Sequence, residues 1–587
     1  MLSPSCTVQA IPVAPGIAIG GVMRVGGTPR ELPEPVILSP EMAVPEMARF
    51  NSALEKTRQE LCALRDELRQ RLADSAIGIF DAHILLLEDA LLLAEVHKGI
   101  QQDHYSAEYA VYATIEKFYA VFGTVDDEYL KERAVDLRDV GNRILDNLSG
   151  VDVATVAYNE PRIVIASNLT PSETVGLERE FVLGFATETG SATSHTAILA
   201  RSLKLPAVVG VPRDILDRLT IADQLIIDGF SGKVIVNPDQ RTRESYQLKL
   251  QEEMKFYSEL TGERDLPPET VDGFQLQLAA NLDADQDYRE VKAAGACGVG
   301  LFRTEFLFMD PDKLPDEEHQ YQIYKDLLVS AGNHSVIIRT IDIGGDKLNS
   351  AIQRSNEQNP FLGLRGIRLC LLEQKELFTS QLRALLRAGV HGDLRVMLPM
   401  VSSIFELRET KQIIESLQKE LAEQNIPFVQ KLKLGIMIET PVAAIIARQF
   451  APEVDFFSIG TNDLIQYTMA VDRSNERVAY LYRPTHPAIL HLIRNTVEAA
   501  KEYNLYVSVC GQMAESIMYT PLLLGLGVNE LSMPVAAIPV QRRLIRSMNL
   551  ADCEELVQKA LRCSNANEVT DLTRELIAEA APEMLEH

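Results

Sequence analysis

The chain has 587 residues, 46 % of them hydrophobic, enough for roughly two to four globular domains each with its own core. Its formal charge of −26 argues against a nucleic-acid or anionic-membrane surface and suits a basic protein partner, so that any anionic ligand must be met by local arginines. Seven scattered cysteines without a C-x-x-C pair indicate neither a zinc site nor a disulfide framework, and with no signal peptide and no run near ~18 apolar residues the expectation is a soluble cytoplasmic protein without membrane insertion.

Residues 7–25 read as short extended pieces broken by Pro12, Pro15, Gly16, Gly20 and Gly21. From about residue 40 to 148 the pattern turns helical: Leu54, Leu61, Leu64, Leu68 and Leu72 recur at helical spacing, and 82–96 and 107–121 repeat it. Strand-like runs return at 163–166, 182–185, 225–228 and 234–236. The helices are therefore expected as a hairpin bundle inserted into a discontinuous α/β domain. Within that domain His195 stands where a glycine-hinged loop becomes a helix that Thr193 or Ser194 could cap. The unpaired N–H groups of such a first turn suit a phosphate carried on the imidazole. His195 alone reads equally as the cap of a buried helix.

Residues 240–261, rich in Arg, Glu, Lys and Gln, read as a long polar linker helix stopped by Pro267 and Pro268. Beyond it, runs at 274–281, 299–305, 335–341, 394–400, 433–438, 454–459, 506–509 and 530–533 alternate with helices, which reads as a (β/α)8 barrel. The expected domains are 1–38 with 150–238 (α/β, bearing His195), 39–149 (inserted helical bundle), 239–268 (linker helix) and 269–587 (barrel).

In such a barrel the catalytic residues sit at the C-terminal strand ends. Strand two ends in Arg303-Thr304-Glu305, strand three in the segment from Arg339 through Asp342 to Lys347, strand five in Glu439-Thr440-Pro441, strand six in Gly460-Thr461-Asn462-Asp463 followed by Arg473, and strand seven in Cys510-Gly511-Gln512. Each alone could be a strut, and Cys510 a small buried side chain; together they converge on one mouth. Glu439 and Asp463 are hard oxygen ligands of the kind Mg²⁺ takes. Arg303, Arg339, Arg365 and Arg473, with Lys347, offer forks and point charges for a phosphate and a carboxylate. No strand-end segment contains a histidine, so a nucleophile must come from elsewhere, and His195 is the candidate.

The run from Thr193 through Arg201 to Gly210 resembles the phosphohistidine segment of phosphoenolpyruvate-dependent phosphotransferases. Residues 298–309, 359–368 and 455–464 are similar to the enzyme I family, the phosphoenolpyruvate–protein phosphotransferases of the bacterial sugar phosphotransferase system. The resemblance implies that Arg303, Arg339, Asn462, Asp463 and Arg473 bind phosphoenolpyruvate, that Glu439 and Asp463 hold Mg²⁺, that Cys510 protonates the enolpyruvate at carbon, and that Thr174 hydrogen-bonds the active imidazole. Residues 80–89 resemble the segment that docks the small histidine phosphocarrier protein. There His83 reads equally as a partly buried helix histidine, while Glu88 and Asp89 suit a basic partner. Residues 133–141 resemble a family helix leading back to the phosphohistidine domain.

The implied reaction moves the phosphoryl group from phosphoenolpyruvate to His195 on a swivelling domain, then to a histidine of the carrier, releasing pyruvate. The resemblance also implies a homodimer through the barrel. Two positions depart from the family: Ala192 replaces a usual Arg or Lys before Thr-Ser-His, and Gln512 stands where Glu often follows Cys-Gly. Two rivals remain. One is a dikinase or phosphoenolpyruvate synthase, which the start of the chain in the phosphohistidine domain and the lack of a G-x-x-x-x-G-K-[ST] loop are expected to exclude. The other is a regulatory phosphoenolpyruvate-sensing relative with little turnover, against which His195, both carboxylates and all the arginines are intact.

Overall fold

In the computed structural model the described residues are 5–25, 35–68, 80, 83–123, 128–149, 160–167, 169, 181–189, 200, 203, 205–283, 288–308, 314–344, 359–473, 475 and 477–585. They fall into two compact units, Met1–Met254 and Lys255–His587, divided inside the helix Gln240–Gly262.

The first unit contains eight strands: β1 (Cys6–Gln9), β2 (Ile11–Ala14), β3 (Ile17–Arg24), β4 (Arg162–Ala166), β5 (Val182–Thr187), β6 (Ala207–Val209), β7 (Gln224–Asp228) and β8 (Lys233–Val236). They form one sheet in the order β1-β8-β7-β3-β4-β5-β6-β2, parallel from β3 through β6 and antiparallel at both flanks. The β4 run lacks polar alternation because both of its faces are buried. Ile163 and Ile165 pack with Val22 and Ile227 on one side, and Val164 and Ala166 with Phe185 and Val209 on the other. Strand β6 is not legible in the sequence as a strand. Three residues between Pro206 and Gly210 become one only because β5 and β2 pair with it from both sides.

Between β3 and β4 lies the inserted helical bundle, with helices Ala43–Leu68, Ala90–Gln101, Ala107–Gly123 and Glu128–Ser149. Its core includes Phe50, Leu61, Val96, Val111 and Ile144. Gly141 sets the closest helix approach: a Cβ there would fall 1.8 Å from Ile115 Cδ1.

The second unit is a closed, all-parallel barrel of β9 (Gln277–Leu282), β10 (Gly298–Phe302), β11 (Ser335–Arg339), β12 (Asp393–Leu398), β13 (Lys433–Ile438), β14 (Phe456–Ile459), β15 (Tyr506–Val509) and β16 (Glu530–Met533), with β16 pairing back onto β9. The eight expected runs are these strands. Where an expected run overshoots, as at Arg303–Glu305, the chain has already turned into the loop above the strand, and Glu305 opens a 3₁₀ turn. Inside the barrel, Leu301, Ile337, Met397, Met437 and Phe456 form a compact apolar cluster. Gly435 stands opposite Phe456 in register, and a Cβ on it would lie 2.5 Å from the ring. Among the described residues no helix is long and apolar enough to cross a membrane.

Overpacking this pair has a measurable consequence. Gly435→Ala should destabilise the barrel by about 1–3 kcal/mol through displacement of Phe456. Denaturant unfolding of the full chain checks it, and an unchanged midpoint would show that the ring yields freely.

Candidate active site

The polar residues above the strands build a buried ionic lattice at the barrel mouth. Arg339, the last residue of β11, points inward and donates from Nη2 to Glu305 Oε1 at 2.8 Å, while its Nη1 lies 3.2 Å from Asp342 Oδ2. Arg365, the N-cap residue of helix Gly366–Leu372, forks onto Asp342, with Nε to Oδ1 at 3.3 Å and Nη2 to Oδ2 at 3.0 Å. The same Nη2 reaches Asp463 Oδ2 at 3.4 Å, and Nη1 donates to Tyr467 OH at 3.0 Å. Tyr467 in turn donates to Phe361 O at 2.6 Å, tying the lattice to the loop after β11. All five charged residues are buried, as is Glu439. Burial by itself would lower both guanidiniums, but the surrounding carboxylates outweigh it and hold them above the usual arginine value.

The carboxylates show the opposite pressure. Asp342, Glu439 and Asp463 place one oxygen each within 4.8 Å of one another. Burial first, and then the charges of Asp463 and Asp342, push the Glu439 carboxyl well above its ordinary range, with Arg339 and Arg365 opposing. Four buried carboxylates (Glu305, Asp342, Glu439, Asp463) face two buried guanidiniums, an excess of two negative charges that a divalent cation would offset. The donors differ in availability. Asp342 is held by both arginines, whereas Asp463 Oδ1 is buried without a hydrogen-bond partner. Glu439 Oε1 accepts from the Met400 backbone N–H, which fixes the side chain at the end of β13. Asp463 lies in the first turn of helix Thr461–Met469, where the helix dipole favours a carboxylate. This set of hard oxygens fits a small divalent cation.

Four other expected residues of the barrel are described. Cys510 follows β15, buried, accepting from Ser458 Oγ at 3.4 Å and donating to Ile459 O at 3.7 Å. Burial pushes its thiol up to about 11, so it keeps its proton at neutral pH. Asn462 Oδ1 accepts from Gln512 N at 2.8 Å, across Gly511, where any Cβ would meet Thr461 Oγ1 at 2.0 Å. Arg303 is partly exposed, 3.6 Å from Asp283. Arg473 lies past helix Thr461–Met469, its backbone N–H facing Gln466 Oε1 at 3.5 Å. His195, Thr174 and Lys347 lie outside the described residues. Strand β5, which precedes His195 in the chain, is followed by a tethered turn in which Thr187 Oγ1 donates to Thr189 O and Thr189 Oγ1 to Ser167 O.

Two residues central to the lattice, Glu305 and Asp342, received no role from the sequence. The available signal was their position directly after strand-end arginines, in Arg303-Thr304-Glu305 and Arg339-Thr340-Ile341-Asp342.

In the helical bundle one expectation is corrected. His83 has no exposed surface, and its ring is held between Asp136, 3.2 Å from Nε2, and Asp139, 3.7 Å from Nδ1. A fully buried side chain does not touch a docked protein, so His83 is a strut of the bundle. Glu88 is exposed beside it, and Asp89 caps helix Ala90–Gln101 by accepting from Leu91 N and Leu92 N. Leu85 and Leu91 add exposed apolar surface to this face.

The fork of Arg365 is testable by a charge-conserving change. Arg365→Lys keeps the charge but cannot bridge Asp342, Asp463 and Tyr467 together, so the barrel should lose about 1–3 kcal/mol of stability. Thermal unfolding at neutral pH reads this, and a wild-type Tm would mean that point charge alone holds the mouth.

The chain matches three family descriptions: "PEP-utilising enzyme, N-terminal" over residues 9–133, "PEP-utilising enzyme, mobile domain" over 158–232, and "PEP-utilising enzyme, PEP-binding domain" over 258–550. It is 44% identical over 531 residues to the phosphoenolpyruvate-protein phosphotransferase of Staphylococcus carnosus, covering 90% of this chain and 92% of that one. With the phosphoenolpyruvate-protein phosphotransferase of Bacillus sp. (strain S) it shares 41% identity over 576 residues, 97% of this chain and 98% of the relative. A solved structure described as enzyme I (nEIt) aligns at 39% identity over 43% of this chain and all of that one, with a TM-score of 0.36. On its identity with these two relatives, over nearly its whole length, the chain belongs to the family of phosphoenolpyruvate–protein phosphotransferases.

Proposed function

We propose that this chain takes the phosphoryl group of phosphoenolpyruvate onto His195 and passes it to a histidine of a small phosphocarrier protein, releasing pyruvate, as the first step of a phosphotransferase relay. The observation that carries this reading is the mouth itself: buried arginines and carboxylates arranged for a small polyanion, with no histidine in any strand-end segment. Phosphoryl transfer passes through a loose transition state with charge on the peripheral oxygens, so cations and position do most of the work. Arg339 and Arg365, with Arg303, Arg473 and Lys347, hold the phosphate and carboxylate. Asn462, whose oxygen is committed to Gln512 N, offers its amide N–H groups.

Glu439 and Asp463 would hold Mg²⁺, which supplies positive charge to the substrate's oxygens. Asp342, engaged by both arginines, orients them. The proton retained by the buried Cys510 thiol is the one delivered to the enolpyruvate carbon. Thr174 positions the His195 imidazole.

The domains proposed for these tasks are 1–38 with 150–238, the bundle 39–149, the linker 239–268 and the barrel 269–587, the first swivelling between the mouth and the carrier. Glu88 and Asp89, with Leu85 and Leu91, form the carrier face, and the chain's −26 charge suits a basic carrier. The barrel exposes Leu362, Phe405, Ile445 and Tyr480, apolar surface that a second copy in a homodimer would cover. All seven cysteines are free, as in a reducing cytoplasm.

Labelled phosphoenolpyruvate with Mg²⁺ should give an acid-labile phosphoimidazole that His195→Ala abolishes. A fragment of residues 1–262 should exchange phosphate with a phosphorylated carrier yet take none from phosphoenolpyruvate. Direct labelling of that fragment would refute the two-site scheme, and labelling from ATP would restore the dikinase. Separately, Glu439→Gln should weaken binding of Mg²⁺ or Mn²⁺, measured calorimetrically without substrate, at least about tenfold. Unchanged metal affinity would remove Glu439 from the ligand set.

A further inference from the structure

One half of the barrel's inner wall is polar. Strand β15 sends Tyr506, Ser508 and the following Cys510 inward, and β16 sets Glu530 in register with Ser508, with Ser532 above it. The opposite half carries Ile337, Met397 and Met437.

At the base of the barrel Tyr506 OH donates to Gln277 Oε1 at 2.7 Å and lies 3.2 Å from Glu530 Oε2, and the Cys297 thiol faces the same carboxyl at 4.0 Å. Beneath this floor lies a pocket of about 400 Å³ bordered by Gln277, Cys297, Tyr506 and Asn529. At the upper end Ser532 Oγ donates to Asn281 Oδ1 at 2.6 Å, Asn281 Nδ2 donates to Cys510 O at 3.3 Å, and Ser458 Oγ donates to Cys510 Sγ at 3.4 Å.

Between the two ends are Glu530 Oε1 and Ser508 Oγ, both buried and without a hydrogen-bond partner. Gly300 admits both side chains: a Cβ there would lie 2.8 Å from Glu530 Oε1 and 2.4 Å from Ser532 Oγ. Buried polar atoms left without a protein partner are characteristically satisfied by internal water.

We propose that this seam is a proton path, in which Glu530 restores the proton that Cys510 gives up and is itself refilled from the pocket at the barrel base. The inference rests on the reading of Cys510 as the acid that protonates enolpyruvate. In that step the P–O bond of phosphoenolpyruvate breaks and an N–P bond forms on His195, leaving the pyruvate enolate. The Cys510 S–H bond then breaks, a C–H bond forms at the methyl carbon, and Cys510 is left as a buried thiolate. The Glu530 carboxyl passes its proton through the bridging water and the serine hydroxyls to that thiolate, and the resulting carboxylate takes a proton from solvent by way of the Tyr506 hydroxyl.

Glu530 suits the task. Burial pushes its carboxyl up to about 7, opposed by the Tyr506 hydrogen bond and the Arg395 charge, so it both holds and releases a proton near neutrality. The groups facing it are Tyr506 from β15, Gln277 from β9, Cys297 before β10, Arg395 from β12, and Ser508 and Ser532 beside it.

The test uses the full chain with Mg²⁺, phosphoenolpyruvate and ¹⁴C-pyruvate in D₂O. Carbon exchange between pyruvate and phosphoenolpyruvate counts catalytic cycles, and deuterium in the pyruvate methyl group counts protons drawn from solvent. Glu530→Gln should cycle carbon within about twofold of wild type while deuterium per cycle falls at least about tenfold, and Glu530→Asp should restore it. Ser532→Ala, which breaks the seam without touching the carboxylate, should act in the same direction even if Glu530→Gln does not fold. Wild-type deuterium per cycle in both variants would overturn the path, as would a parallel loss of carbon and deuterium. If Cys510→Ala exchanges both isotopes at wild-type rates, the acid assignment itself is wrong and the path falls with it.

Discussion

The barrel mouth depends on two buried arginines among four buried carboxylates. Removing any of these charges from water is costly, and the arrangement persists because each guanidinium is shared: Arg339 between Glu305 and Asp342, Arg365 between Asp342, Asp463 and Tyr467. Asp342 is the hinge of this lattice, since it alone contacts both arginines. The excess negative charge makes the set incomplete as it stands, and Glu439 registers this most strongly through its raised protonation range. A dication followed by a polyanion would redistribute the same arginines from carboxylate to substrate without moving the strands that carry them. Binding and order at the mouth are thus one electrostatic problem.

Much of this was legible in the sequence because a parallel barrel repeats a simple rule. Each apolar run ends in a loop whose first polar residues face the mouth, so Arg303, Arg339, Glu439 and Asp463 could be collected by position. Their pairings could not. Glu305 and Asp342 matter through contacts with side chains on other strands, and a one-dimensional pattern does not distinguish such a partner from an ordinary strut. His83 failed for a related reason: the Asp136 and Asp139 that bury it are one helical turn apart on a helix some fifty residues away. Strand β6 was hidden because pairing on both edges, and not its own three residues, makes it a strand.

The inner wall of the barrel shows how the same alternation serves two ends. On the strands facing Ile337 and Met397 the inward residues fill space, and Gly435 exists to admit Phe456. On β15 and β16 the inward residues are small or polar, and Gly300 exists to admit Glu530 and Ser532. The two glycines thus admit neighbours of opposite kind, one an aromatic ring and the other a carboxyl and a hydroxyl. A substitution tolerated for volume at either would still be judged differently by packing and by polarity.

The sheet of the first unit has an implication for synthesis. Its first strand, β1, pairs only with its last, β8, and β3 pairs with β7, whereas the helical bundle between them is built from neighbours in sequence. A chain emerging from the ribosome can complete the bundle while β1 to β3 still lack all of their partners, and loop closure across the insert must be met before the sheet can form. The edge strand that begins the chain therefore waits, exposed, until residue 236 has been made. Its alternating residues and the Pro12 that follows in β2 restrain it from pairing elsewhere in the meantime.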